Sequence, residues 1–246
     1  MSALLLDIGN SFVEAAIWTP DGRTILNRFP TAQLQEKLAY LSEHNTDQII
    51  VSSVVPTADS MLRDHLAHNT PIHMITWQTI PTLTLNITTP EQVGADRLVN
   101  ALAAYHHVKD SVLVIDCGTA TTCCYVDQTG TYQGGAIFPG LGLASQALHD
   151  HTAKIPLVFV QAREELLGKN TIDAVQSGLY HSCIFALNGF IAAIKKQDPS
   201  VTIVGTGKGL EFLKDKLDLD YFDTHLIFQG LGICAEALIN AQRKTP

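Results

Sequence analysis

The chain has 246 residues, of which 46% are apolar and 16% charged, and a formal net charge of −8. That describes a soluble globular protein large enough for one big domain or two ordinary ones, with no apolar run near the roughly 20 residues of a membrane span and with a charge that disfavours nucleic acid or an anionic membrane as partner. The five cysteines (Cys117, Cys123, Cys124, Cys183 and Cys234) include no C-x-x-C pair and read as small buried hydrophobes in a reducing cytoplasm.

Leu4-Leu5-Leu6-Asp7-Ile8-Gly9-Asn10-Ser11 is an apolar run that meets Asp-x-Gly and small polar residues. Its start reads as a first strand and not as a signal peptide. A second apolar stretch follows and ends at the turn signal Pro20-Asp21-Gly22, so the segment reads as a β-hairpin with a carboxylate at its bend. A third strand comes next, then a helix over 31–44 with Leu34, Leu38 and Leu41 on one face. The β-branched run up to Pro56 predicts a buried strand over 48–56, followed by a helix over 60–68 and a short strand at 72–75. Thr89-Pro90-Glu91-Gln92 has a capping residue, a proline at the first helical position and Gln three after the cap. Gly94 interrupts, and 96–107 continues as a helix carrying Leu98, Leu102 and Tyr105 on one face. The domain boundary is expected inside this helix, near residue 100, giving domains 1–100 and 101–246.

The opening pattern then returns as Leu113-Val114-Ile115-Asp116-Cys117-Gly118-Thr119-Ala120, with its own turn signal at Gln128-Thr129-Gly130. Gly134 to Gly140 extends this second hairpin, and helices are expected over 141–149 and 171–195. A buried strand at 201–204 runs into Gly205-Thr206-Gly207-Lys208-Gly209; a last strand is expected at 226–228 and a closing helix over 233–242. Strands alternating with helices around a repeated hairpin imply an α/β fold built from a duplicated domain.

Asp7 and Asp116 end apolar strands, where an ionised carboxylate is costly without a cation or donors. Each could simply cap its own turn. As a pair they favour a site that gathers Mg²⁺ and nucleotide phosphates in a common crevice, with Asn10, Ser11, Thr119, Thr121 and Thr122 as donors. In Gly94-Ala95-Asp96-Arg97 the arginine sits near a helix N-terminus, where the macrodipole disfavours a cation. Either a salt bridge to Asp96 or Glu91 compensates, or Arg97 binds an anionic substrate with Asp96 beside it as a base. The 205–209 turn lacks P-loop spacing; it covers an adenosine moiety or is a plain strand-to-helix turn. Thr171 is either the N-cap of the long helix or a substrate contact. His149-Asp150-His151 reads as a solvated helix end, not a metal site.

Taken together, Asp7-Ile8-Gly9-Asn10-Ser11, Ser53-Val54-Val55-Pro56, Gly94-Ala95-Asp96-Arg97, Asp116-Cys117-Gly118-Thr119-Ala120-Thr121, Gly134-Gly135, Pro139-Gly140, Asn170-Thr171, Gln176-Ser177-Gly178 and Gly230-Leu231 resemble type III pantothenate kinase over nearly the whole chain. The resemblance implies duplicated ribonuclease-H-like (actin-like ATPase) domains with a cleft between them, a cytoplasmic homodimer, and transfer of the ATP γ-phosphoryl group to pantothenate with Mg²⁺ and a monovalent cation (K⁺ or NH₄⁺). Carried over by position, Asp7, Ile8, Gly9, Asn10, Ser11, Phe12, Val13, Glu14 and Thr119 would bind ATP. Asp96 would accept the proton, Gly94, Ala95, Asp96, Arg97 and Thr171 would contact pantothenate, and Asp116 would bind the monovalent cation.

Two residues depart from that pattern. The family usually has Lys at the position of Glu14, where a carboxylate should weaken phosphate binding unless a cation offsets it. It also tends to have a substrate-contacting Tyr at the position of Ile87. These departures keep two alternatives in view: a kinase for another small hydroxy acid, and a non-catalytic regulatory protein on the same fold.

Overall fold

This computed structural model describes residues 1–66 and 70–244. The chain forms two compact units, Met1–His107 with Leu226–Pro246, and Val108–His225. The boundary expected near residue 100 falls inside a continuous helix, and the closing helix belongs to the first unit.

In the first unit, β1 (Ala3–Ile8), β2 (Phe12–Thr19) and β3 (Gly22–Pro30) form an antiparallel meander, and β4 (Gln48–Ser53) and β5 (Ile72–Met74) add in parallel on the other side of β1. The sheet order is β3-β2-β1-β4-β5. Alternation along β1 turns Leu4, Leu6 and Ile8 to one face, where they pack with Leu34, Leu38 and Leu41 of α1 (Leu34–Ser42) and with Ala58, Leu62 and Leu66 of α2 (Pro56–Leu66). Each fully buried leucine contributes about 1.5–3 kcal/mol, so this layer is the main reason the hairpin holds. Helix α2 begins at Pro56, four residues before the expected start, because proline is well accepted in a first helical turn; its expected end at His68 lies outside the described residues. A two-residue strand, β6 (Thr84–Leu85), and a 3₁₀ turn over Pro90–Gln92 lead to α3 (Ala95–Val108). Thr89 makes no side-chain capping bond there, and Val93 is extended, so the Thr89–Gln92 signature starts a single turn and not the helix itself.

In the second unit, β7 (Val112–Cys117), β8 (Ala120–Val126) and β9 (Thr131–Pro139) repeat the antiparallel meander, and β10 (Thr202–Thr206) and β11 (Tyr221–Phe222) lie parallel beyond β7. The order β9-β8-β7-β10-β11 therefore repeats β3-β2-β1-β4-β5 element for element. Helix α4 (Leu141–His151) follows β9. Helix α5 (Thr171–Gln197) packs Tyr180, Cys183, Ile184, Leu187 and Ile191 against Leu113, Ile115 and Ile203 of the sheet. Length and composition alone would let α5 cross a membrane, but this packing accounts for five of its apolar side chains.

The strand expected at 226–228 is instead the first turn of α6 (Leu226–Lys244), a correction with a visible cause. Leu226, Ile227 and Phe228 are all buried, and a run buried on every side loses its period, so it reads equally as strand or helix. Helix α6 packs on β1 and β4 of the first unit. Gly230 and Gly232 permit this: a Cβ at Gly230 would overlap the Val99 backbone of α3, and one at Gly232 would come within 2.9 Å of the Trp18 indole.

Candidate active site

Asp7 is the penultimate residue of β1, directly opposite Glu14 on β2 and Ser52 on β4; Glu14 is in turn opposite Arg28 on β3. Residues opposite one another share a face, so Ser52, Asp7, Glu14 and Arg28 form one polar row across four strands, on the face away from the Leu4–Leu6–Ile8 layer. Two carboxylates facing across a strand pair repel. Arg28 answers them: its Nε lies 2.9 Å from Glu14 Oε1, and its Cζ lies 3.4 Å from the centroid of the Phe12 ring. The cation needed beside Glu14 is thus present, on a neighbouring strand.

The loop between β1 and β2 is clamped through its backbone. The Gly9 N–H donates to the Phe12 carbonyl at 2.9 Å, the Thr31 hydroxyl donates to the Gly9 carbonyl at 2.7 Å, and the Thr31 N–H donates to the Ser11 carbonyl at 3.0 Å. Ile8 and Val13 are buried on either side, while Asn10, Ser11 and Phe12 are exposed. The result is a fixed loop whose polar side chains face outward.

Asp96 lies in the first turn of α3, half-buried, with its Oδ1 accepting the Arg97 N–H at 2.8 Å. Burial raises its carboxyl above the ordinary value, against the opposing pull of the Arg97 backbone bond and the Arg97 charge. Ala95 is buried beneath it. Gly94 has no side chain for a concrete reason: a Cβ there would overlap Asp96 Oδ1 and come within 3.3 Å of Val54 Cγ1. Val54 also donates its N–H to the Ile8 carbonyl at 3.1 Å, so the Asp7 strand end and the Asp96 turn lean on the same residue. Ile87, half-buried ahead of α3, offers no hydrogen-bonding side chain.

In the second unit Asp116 is opposite Thr122 and Thr206. The Gly118 N–H donates to the Ala120 carbonyl at 3.0 Å, a loop-closing bond of the same type as that at Gly9, and the Gly140 N–H donates to the Thr119 carbonyl at 3.0 Å. The glycine-rich turn lies directly on this loop. Gly207 has φ +85°, and a Cβ there would overlap Asp116 Oδ1 and crowd the Cys117 carbonyl to 2.7 Å and its N to 2.8 Å. A cavity of about 330 Å³ opens beside it, walled by Gly118, Leu141, Gln146, Val158, Gly209 and Phe212. All five cysteines are free and buried. A hydrogen bond to Cys183, together with burial, pushes the Cys117 thiol well above its usual range, which suits a packing residue.

Thr171 is the exposed first residue of α5, not its cap; Asn170 caps the helix by accepting the Asp173 N–H at 2.9 Å. His149, Asp150 and His151 are exposed at the end of α4. Among the described residues no group of three His, Cys, Asp or Glu side chains is arranged to hold a metal. Asp116 and the loop around it supply oxygen donors, the ligand type that hard cations take. Arg28 and Thr31 lie outside every motif of the sequence analysis: a bulge in the hairpin sets the register of the first, and nothing local signals the second.

The family model for type III pantothenate kinase matches residues 3–193. A type III pantothenate kinase of Listeria monocytogenes serotype 4a is 36% identical over 216 residues, covering 86% of this chain and 81% of that protein. Among solved structures, a putative 2-dehydro-3-deoxygalactonokinase from Sinorhizobium meliloti superposes with a TM-score of 0.65 at 17% identity, covering 96% of each chain. An archaeal actin homologue superposes with a TM-score of 0.53 at 10% identity, covering 98% of this chain and 100% of its own. At such identities the structural likenesses speak for the fold alone, which is actin-like and mixed α/β.

Proposed function

The chain belongs to the type III pantothenate kinase family, and we propose that it transfers the γ-phosphoryl group of ATP to the primary hydroxyl of pantothenate. The product is 4′-phosphopantothenate, and the reaction opens coenzyme A biosynthesis. The observation that carries the reading is Asp96: a half-buried carboxyl, raised by burial and held by one backbone bond on Oδ1.

In this reading pantothenate lies against Gly94, Ala95 and Arg97, with the Arg97 guanidinium facing its carboxylate and Thr171 as a further contact. The attacking hydroxyl gives its proton to Asp96, whose raised pKa makes it a better acceptor than an ordinary carboxylate. We assign Asn10 and Ser11 of the first unit and Thr119 of the second as donors to phosphate oxygens, in the loops that carry Asp7 and Asp116. Because the transition state of phosphoryl transfer is loose, positioning and charge stabilisation carry most of the rate. The apolar cavity beside Gly118 and Gly209 supports a place for the adenine ring, with Gln146 as its polar handle. Mg²⁺ bound with ATP and K⁺ or NH₄⁺ at Asp116 supply charge neutralisation when present.

A homodimer is part of the same proposal. Leu166, Leu167, Ile172 and Phe185 are large apolar side chains between 53% and 81% exposed on and just before α5. Exposed apolar side chains just before and along this helix favour a protein contact over water. We place the enzyme in the cytoplasm, where five cysteines outside any disulfide persist.

The test is ADP release, measured by a coupled assay with pantothenate and Mg²⁺-ATP in K⁺ and again with Na⁺ in its place. The proposal expects pantothenate-dependent ADP in K⁺ and much less in Na⁺. Pantothenate binding without ADP release would make this a binding protein on a kinase fold. Turnover of other hydroxy acids in preference to pantothenate would reassign the substrate.

A further inference from the structure

We propose that Arg28 is a phosphate-anchoring residue: its guanidinium donates hydrogen bonds to oxygens of the nucleotide phosphates held at the Gly9–Ser11 loop. The inference rests on the reading that this loop binds nucleotide phosphates, and it adds a residue that no motif of the chain includes. Three features set Arg28 apart from a surface arginine. Its plane is fixed twice, by the Phe12 ring 3.4 Å below Cζ and by Glu14 Oε1 2.9 Å from Nε. Its strand is pinned to the loop, since Thr31, three residues on, binds the carbonyls of both Gly9 and Ser11. Phe12, the ring beneath it, is the residue that directly follows Ser11.

The chemistry follows from that placement. A guanidinium carries five N–H donors in a planar fork, and the pair with Glu14 uses Nε. The terminal amino groups remain for a second acceptor, and a phosphate matches their geometry bidentately. Charge points the same way. Asp7 and Glu14 face each other across the strand pair, two carboxylates that by themselves repel a polyphosphate at this strand end. Arg28, at the end of that row, supplies the opposite charge. Glu14 thereby acts as a positioning residue, holding the guanidinium that the phosphates use.

The experiment is calorimetric titration of the full chain with Mg²⁺-ATP, Mg²⁺-ADP and adenosine, alongside thermal melting, for wild type, Arg28→Ala, Arg28→Lys and Phe12→Leu. Arg28→Ala is expected to weaken ATP and ADP binding by about 10- to 100-fold, the worth of hydrogen bonds to a charged group, and to leave adenosine binding unchanged. Arg28→Lys recovers part of the loss, because it restores charge without the fork. Phe12→Leu shows a smaller loss in the same direction with little change in melting. Equal ATP affinity in wild type and Arg28→Ala overturns the proposal, as does an equal loss for adenosine and ATP, which would make Arg28 a buttress of the fold. If wild type itself binds adenosine as tightly as ATP, the fault lies in the underlying reading that the loop grips phosphates.

Discussion

Replacing Gly94 by alanine separates catalysis from stability at a single methyl group. No left-handed φ is required at Gly94, so alanine is acceptable to the backbone, and the consequence is steric alone. The new Cβ would overlap Asp96 Oδ1, and that oxygen must retreat by about 1 Å to reach the 3.3–3.6 Å of an ordinary C···O contact. Val54 Cγ1, at 3.3 Å, has to give only slightly. The carboxylate is the far end of a mobile side chain and can swing aside, which breaks its 2.8 Å bond from the Arg97 N–H. Stability then loses about 1 kcal/mol, the net worth of one hydrogen bond, or roughly 2–4 °C in melting temperature for a chain of this size. Catalysis loses far more, since a misplacement of about 1 Å costs on the order of 10²-fold. The assay is ADP release at saturating ATP and pantothenate, paired with thermal denaturation. A kcat within about threefold of wild type, in a variant that melts normally, would refute the placement of Asp96 as the base.

Asp96→Asn is expected to lower kcat by about 10²–10⁴-fold, leave pantothenate binding by calorimetry within a few-fold, and raise the melting temperature at pH 7. The sign follows from a folded pKa above the unfolded one: the penalty of ionised Asp96 is absent below about pH 4 and grows as pH rises through the folded value, so the two melting curves converge in acid. Asp198 behaves oppositely. The Ser111 hydroxyl beside it and hydrogen bonds from Ser200 and Tyr125 lower its carboxyl to about 2, so its stabilisation is full above the unfolded value of about 4 and lost as pH falls through about 2. Asp198→Asn should therefore melt below wild type at pH 6 and match it near pH 2. Gly207→Ala combines a left-handed φ of +85° with backbone atoms of Cys117 that cannot swing aside. The φ alone costs about 1–2 kcal/mol, and we expect a melting loss of about 5 °C or more together with weakened nucleotide binding by calorimetry.

The repeated Asp hairpin was legible because alternation and turn residues act locally, and both copies fold as their patterns imply. Gly94 was legible as a break but not as the space that Asp96 occupies, since its neighbour Val54 comes from a different strand end. Arg28 shows a different limit. Counting back from the Thr19–Gly22 turn pairs Ala16 with Ile25 and would set Asn27 opposite Glu14. A bulge between Ala15 and Ala16 shifts the register so that Arg28 takes that place. One unpaired residue in the ladder moves every later side chain by a step and reverses its face. No motif in the sequence announces that insertion. The 226–228 run failed for lack of period, and the membership of α6 in the first unit rests on contacts with β1 and β4 some two hundred residues earlier in the chain.

The most direct test of the central claim follows the phosphoryl group itself. Wild type and Asp96→Asn are incubated with pantothenate, Mg²⁺, K⁺ and ATP isotopically labelled in its γ-phosphoryl oxygens, and the products are resolved by mass spectrometry. The account predicts label in 4′-phosphopantothenate for wild type and a loss of about 10²-fold or more in the variant. Label recovered only in ATP or inorganic phosphate with pantothenate unchanged, or equal transfer by the two proteins, would contradict it.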